Sequence, residues 1–288
     1  MPTKNDSSTF HLGDRIVKRV GYGAMQLAGP GAFGPPTNPV GAVEVLREAI
    51  EHGVNHIDTS DFYGPHVTNQ LIRKALHPYR DDLLIATKIG ARRGADGSWL
   101  TAMSSKELVD AVHDNLRNLG LEVLDVVNLR IMLDPHGPAE GSIEEPLTVL
   151  AELQQRGLVR NIGLSNVTTS QFLEGKRICK IVEVQNHYNL AHRVDDELLD
   201  ELAQHGIAYV PFFPLGGFSP LQSSTLTNLA MQLGATPMQV ALAWLLHRSP
   251  NILLIPGTSS LKHLHENLAA ANLVLPDKAL NALNSINA

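Results

Sequence analysis

Eight short apolar runs recur along this chain, each followed by a longer polar-apolar stretch, and that alternation constrains the fold more than any single motif. The runs fall at residues 19–21, 55–58, 83–88, 123–129, 159–163, 181–185, 208–212 and 252–255. They read as near-continuous apolar segments rather than alternating ones, which is the pattern of parallel strands covered on both faces. Between them, stretches 41–51, 105–119, 144–156, 195–204, 237–246 and 261–270 place apolar residues at helical spacing. Helix starts are marked at Ser104, three residues before Glu107, and at Thr236, which precedes Pro237. Eight strand-then-helix units without a break predict one α/β domain over residues 1–288, a closed (β/α)8 TIM barrel. The first dozen residues and a C-terminal helix over 276–286 lie outside the repeat. The Gly/Pro-rich stretch 28–39 is expected to form a long loop over the barrel mouth.

Composition removes several function classes. A net charge of −6 argues against a nucleic-acid binder, which needs a basic face. The single cysteine, Cys179, permits neither an intramolecular disulfide nor a cysteine metal cage, and reads as a small buried hydrophobe. No run approaches the roughly 18 apolar residues of a membrane span, and the N-terminus lacks the apolar core of a signal peptide. These features predict a cytoplasmic enzyme with no membrane partner.

In such a barrel, the chemistry sits at the carboxyl ends of the strands. Asp58 ends the second run, Tyr63 follows it, Lys88 ends the third and Arg130 follows the fourth. A buried lysine needs a counter-charge, and Asp58 on the neighbouring strand can supply one. A cation beside a tyrosine favours phenolate, so the pKa of Tyr63 is expected to fall toward the range of a general acid. Taken singly, an Asp at a strand end is a turn residue and a Tyr in a loop is surface packing; it is their convergence on one mouth that suggests catalysis.

The segments GVNHIDTSDFYG (53–64), TKIG (87–90), GLSN (163–166), VQNHYNLAHR (184–193), PFFPLGG (211–217) and IPGTSSLKHLHEN (255–267) resemble, in order, those of the aldo-keto reductases. Within that family the chain, GYGAMQLAGP (21–30) included, is most similar to a bacterial branch of pyridoxal reductases. The resemblance implies reduction of an aldehyde or ketone by NADPH, with pyridoxal to pyridoxine as a candidate reaction. It implies Tyr63 as proton donor, Lys88 as the cation beside it and Asp58 as that lysine's partner. Ser165, Asn166 and Gln185 match residues that hold the nicotinamide carboxamide, and Phe212 matches the ring stacked beneath it. Gly23 and Met25, with Phe213, Pro214, Leu215 and Gly217, match the cofactor groove. Gly257, Thr258, Ser259, Ser260 and Lys262 match the pocket of the adenosine 2′-phosphate, with Glu266 and Asn267 near the adenine. A helix N-terminus carrying hydroxyls and a lysine suits a phosphate dianion.

Two departures stand out. Arg130 replaces the histidine usual at the fourth catalytic position; it can donate hydrogen bonds but cannot surrender a proton. An arginine usual in the 2′-phosphate pocket is absent or replaced by His263, which weakens NADPH relative to NADH, but Lys262 and the serines still favour NADPH over NADH. Trp99, Phe33, Met132 and the loop 133–141 could shape a pocket for a small carbonyl substrate, or could simply pack. The thirteen histidines include the pairs His52/His56 and His263/His265, but no ligand set with metal spacing, so no metal is expected. Two other readings stay open: a Schiff-base aldolase using Lys88, and a cofactor-sensing subunit on the same fold. The sequence leaves oligomeric state open.

Overall fold

The computed structural model describes residues 8–134, 137–216 and 223–286. A hairpin of β1 (Thr9–Leu12) and β2 (Arg15–Lys18) precedes the barrel strands β3 (Tyr22–Gly23), β4 (His56–Asp58) and β5 (Leu84–Ile89). A second hairpin, β6 (Ala91–Arg93) and β7 (Trp99–Thr101), is inserted before β8 (Leu124–Arg130), β9 (Val159–Ser165), β10 (Ile181–Gln185) and β11 (Ala208–Tyr209). The sheet runs β11-β10-β9-β8-β5-β4-β3, and every pairing in it is parallel.

The eighth predicted run closes the barrel without becoming a regular strand. Ile252 bridges Tyr209 on one side, and Leu254 and Gly257 bridge Val20 and Gly23 on the other. The backbone bonds Leu253 N–H to Tyr209 O (3.0 Å) and Gly21 N–H to Leu254 O (2.8 Å) complete the seam. The seam needs its glycines. A Cβ at Gly23 would lie 2.4 Å from Ile255 O, and one at Gly257 would lie 2.6 Å from Gly23 O. The first predicted run, at 19–21, is correspondingly displaced, its regular strand falling at Tyr22–Gly23.

The helices α1 (Pro39–Glu51), α3 (Ser105–Leu119), α4 (Glu144–Gln155), α6 (Asp196–Gln204), α8 (Pro237–Arg248) and α9 (Leu261–Ala269) match the predicted ones within a few residues. At α3, Ser104 and Glu107 form a reciprocal capping box, and Thr236 with Gln239 does the same at α8. The sequence reading passed over α2 (Val67–Leu76), α5 (Thr169–Ile178) and α7 (Ser224–Leu233); α10 (Asp277–Asn284) is the expected C-terminal helix. No single helix among the described residues is long and apolar enough to cross a membrane; α7 and α8 pass that test only as a pair bent by 93°.

The N-terminal extension is part of the barrel. Leu12 and Val17 of the first hairpin are fully buried against Leu84, Val126, Ala208 and Leu253, and so close the end opposite the predicted site. Asn55 fixes the hairpin: its amide donates to Ile16 O (3.0 Å), and its Oδ1 accepts from Lys18 N (2.8 Å). The stretch 28–39 is shorter as a free loop than expected, because Pro30–Ala32 forms a 3₁₀ turn within it and α1 begins at Pro39.

Candidate active site

Strand alternation decides which side chains meet. Above the apolar plug, the inward positions turn polar: Asp58 on β4, Lys88 on β5, Asn128 and Arg130 on β8, Ser165 on β9, and Glu183 and Gln185 on β10. Lys88 Nζ donates to Asp58 Oδ1 (2.5 Å) and to Thr59 O (3.0 Å), with both side chains about 95% buried. Burial opposes the ammonium, but the neighbouring Asp58, Tyr63 and Glu183 outweigh it and hold Lys88 above the ordinary lysine range. Gln185 Nε2 donates to the other Asp58 oxygen (2.7 Å), so the carboxylate is gripped from two strands.

Tyr63 stands on the loop after β4 and is 7% exposed. Its N–H donates to Ser60 O (3.1 Å), and Thr68 Oγ1 donates to its carbonyl (3.2 Å). Lys88 Nζ lies 5.4 Å from the ring centroid. The expected fall in its pKa is not found. Burial pushes the phenol above its ordinary value, and the cations Lys88 and Arg130 offset that only in part. The expectation weighed the nearby charge but not the desolvation of a ring enclosed by Phe62, Ala32, Ala91 and Met132. The phenol therefore stays protonated at neutral pH, which is the state a proton donor requires.

Other expected residues fall into four groups. Phe212 comes to the mouth with Arg130, whose guanidinium carbon is 5.4 Å from the ring centroid and whose Nη1 donates to Ser165 Oγ (3.3 Å). Asn166 is placed differently from its expected role: held at φ 61°, its amide donates to the carbonyls of Ile131, Asp134 and Gly137, anchoring the loop after β8. Trp99 reaches Tyr63 only through Phe62, which makes edge contacts with both rings at 5.5 and 5.4 Å. Phe33 and Trp99 both lie under the Arg93 guanidinium, whose carbon is 5.3 and 4.0 Å from their centroids. Gly217 and part of the loop 133–141 lie outside the described residues.

A cavity of about 230 Å³ opens at the strand ends, lined by Gly23, Met25, Asp58, Tyr63, Lys88 and Phe212–Leu215 among others. A second hollow of about 320 Å³ shares Met25 and Gln26 with it and runs to Ser259. There Ser260 caps α9, Thr258 Oγ1 accepts from Ser260 N (3.0 Å), and Lys262 projects into solvent, 3.7 Å from Glu266. Asn267 is buried behind them. A larger surface hollow of about 480 Å³, lined by Gln70, Arg73 and His77 among others, contains none of the strand-end groups.

The family model described as Aldo/keto reductase family matches residues 19–288. This chain belongs to that family. The reductase is 70% identical to the pyridoxine 4-dehydrogenase of Escherichia coli over 98% of its own length and 99% of that protein. It is 35% identical to an uncharacterized oxidoreductase of Schizosaccharomyces pombe, covering 97% of this chain and 90% of that one. Among solved structures, a thermostable aldo-keto reductase in complex with the inhibitor epalrestat superposes with a TM-score of 0.81 at 30% identity, covering 96% and 99% of the two chains.

The sequence reading passed over the polar layer beneath this reductase's Asp58–Lys88 pair. Asn128 Nδ2 and Gln185 Nε2 both donate to Glu183 Oε1 (2.6 and 3.1 Å). Glu183 Oε2, Asn128 Oδ1, Gln185 Oε1 and both ring nitrogens of His56 are buried without a partner among the described residues. Burial, with Asp58 adding to it, pushes the Glu183 carboxyl up to about 7, and burial depresses His56 to about 4. A carboxyl whose pKa is raised by folding stabilises the fold below its unfolded value, and that contribution is lost as pH rises to about 7. Glu183→Gln cannot ionise, so its stability relative to wild type should be higher at about pH 8 than at about pH 5, by roughly 2–3 kcal/mol. Thermal melts at the two pH values check this; an equal offset at both would mean that Glu183 is not carrying a buried proton.

The structure also gathers histidines that the sequence pairs do not. His52 and His265, with ring centroids 4.7 Å apart, flank Glu48 on the surface between α1 and α9. The three offer ligand atoms within 4.8 Å of one another, all partly or largely exposed. Cys179 ends α5 partly buried, and burial pushes its thiol up to about 11, in keeping with a packing role.

Proposed function

We propose that this reductase converts a small aldehyde, pyridoxal foremost, to its alcohol with NADPH, and that Tyr63 gives the proton. The observation that carries the reading is the buried Asp58–Lys88 pair set beside a protonated Tyr63 in a cavity at the barrel mouth. The substrate is suggested by the relative at 70% identity, and the cofactor by an aldo-keto reductase from Klebsiella pneumoniae solved with NADP and acetate, which is 25% identical. That structure has a TM-score of 0.77 and covers 96% of this chain and 94% of its own.

The residues fit a nicotinamide cofactor. Among the described residues Gln185 Oε1 is a buried acceptor lacking a donor, which suits the N–H of a carboxamide, and Ser165 Oγ lies on the adjoining strand. Phe212 offers a ring face, and the joined hollows lead to the N-terminus of α9 with Ser259, Ser260 and Lys262. When bound, NADPH supplies the hydride. Tyr63 Oη would then protonate the oxygen that becomes an alkoxide, with the Arg130 charge acting on the same phenol from the end of β8. Asp58 keeps Lys88 charged, and that charge limits how far burial raises the phenol's pKa. The same pairing disfavours an imine on Lys88, because forming one needs the free amine.

Oxidation of NADPH in the presence of pyridoxal tests the reading, and its failure across small aldehydes would reject it. The 2′-phosphate is tested separately. Lys262→Ala should weaken NADPH binding roughly tenfold, because a largely exposed cation contributes modestly, and should leave NADH within about twofold. Equal losses in a fluorescence titration would mean that Lys262 does not read that phosphate.

A further inference from the structure

Among the described residues, Arg130 is a cation without an anion. Arg15 and Arg160 pair with Asp125, and Arg248 with Asp196 and Asp200, while the buried Arg19 and the partly buried Arg93 and Arg193 direct their N–H groups to several backbone carbonyls each. Partly buried at the end of β8, Arg130 makes no ion pair among the described residues; its one hydrogen bond goes to Ser165 Oγ at 3.3 Å. Burial opposes its charge, as its depressed pKa shows, yet a guanidinium does not give up its proton near neutrality. A half-desolvated cation without a counter-ion is costly to the fold. The alkoxide formed in catalysis exists too briefly to offset that cost in the resting enzyme. An anion carried on the substrate itself would meet that charge for as long as the substrate is bound, whereas the alkoxide does so only during turnover.

The surroundings narrow what that anion is attached to. Tyr63 packs in one apolar cluster with Phe62 and Met132, with Met25 against it, and Met25 and Phe212 line the cavity itself, an apolar and partly aromatic surface suited to a flat ring. A guanidinium presents two parallel N–H groups that match a pair of closely spaced oxygens. An aromatic aldehyde with an ionised hydroxyl on the adjacent ring carbon offers such a pair, one phenolate and one carbonyl. We propose that Arg130 is a specificity-determining residue that selects aldehydes bearing an ionised ortho-hydroxyl, one N–H binding the phenolate and another the carbonyl oxygen that Tyr63 protonates. The 3-hydroxyl of pyridoxal stands in that position beside its aldehyde. The inference rests on the site being an aldehyde reductase and adds the feature by which it chooses among aldehydes.

The test compares kcat/KM for 2-hydroxybenzaldehyde, 2-methoxybenzaldehyde, benzaldehyde and phenylglyoxylate, using wild type, Arg130→Lys and Arg130→Met. Wild type should prefer the 2-hydroxy over the 2-methoxy compound by roughly 10- to 100-fold, the worth of a hydrogen bond to a charged group. Arg130→Met should bring that ratio near one, whatever it does to overall rate, and Arg130→Lys should restore part of it. A binding measurement runs in parallel, without cofactor or turnover. The ultraviolet spectrum of 4-deoxypyridoxine, an unreactive 3-hydroxypyridine, is titrated with each protein, and its hydroxyl should ionise at lower pH on wild type than on Arg130→Met. Equal turnover of the 2-hydroxy and 2-methoxy compounds would overturn the proposal while leaving the reductase reading standing. So would a preference for phenylglyoxylate, which would assign Arg130 to 2-oxo acids. Absence of turnover with every aldehyde would instead remove the reductase reading, and the spectral titration would still decide whether Arg130 binds the phenolate.

Discussion

Replacing Tyr63 with phenylalanine should reduce aldehyde turnover by at least about 10²-fold while NADPH affinity stays within about twofold, since general-acid catalysis is worth roughly 10²–10⁴. Among the described side chains at the mouth, the phenol is the one that is both protonated at neutral pH and able to release its proton: Lys88 is tied to Asp58, and Arg130 holds its proton throughout. Phenylalanine keeps the ring that packs edge-on against Phe62 at 5.4 Å, so the loop after β4 should be undisturbed. Stopped-flow measurement of the reductive step, alongside fluorescence titration with NADPH, separates chemistry from binding. Retention of more than about a tenth of the wild-type rate would remove Tyr63 as the donor.

Lys88→Met should be the most damaging single change in both stability and rate. It leaves the Asp58 carboxyl buried without its cation, with Gln185 Nε2 as its remaining partner among the described side chains, and it strands the carbonyl of Thr59. Breaking a buried pair from one side typically costs about 3–5 kcal/mol. The same change removes the cation that restrains the phenol's pKa, so turnover should fall by at least about 10²-fold. The double variant Lys88→Met/Asp58→Asn should recover much of the stability but none of the rate, because it relieves the lone charge without returning the ammonium. Denaturant melts and turnover of the three proteins test this. A double variant no more stable than Lys88→Met would mean that the two side chains are not energetically coupled.

Much of this architecture was legible because barrel strands and capped helices have local signatures. Ser104 with Glu107 and Thr236 with Gln239 fixed two helix starts, and the same signature at Thr168 with Gln171 could have located α5. Helix α2 carries no such mark: its N-cap is His66 in a left-handed conformation at φ 66°, with no side-chain cap. The eighth strand is irregular because its partners approach through Gly23 and Gly257, which leaves room for bridges rather than a ladder. At the site, Asp58, Tyr63, Lys88, Arg130 and Gln185 could be named from strand ends and family motifs. What the sequence obscured was direction. Reading the strands as continuous apolar runs hid Asn128 and Glu183, which lie two residues before Arg130 and Gln185 and so share their inward face. The environment of Tyr63 was equally hidden, since desolvation depends on which side chains fold over the ring.

The account turns on a hydride passing from nicotinamide to a carbonyl at the Tyr63 mouth, and isotope transfer measures that directly. NADPH deuterated at C4 of the nicotinamide is prepared in its two stereochemical forms, each is incubated with pyridoxal and the protein, and the alcohol is examined by mass spectrometry. Because Phe212 and the carboxamide acceptor Gln185 Oε1 would hold the ring in one orientation, only one of the two labels should appear on the carbinol carbon of pyridoxine. Deuterium arriving from neither form, or equally from both, would contradict hydride transfer from a ring held by these residues.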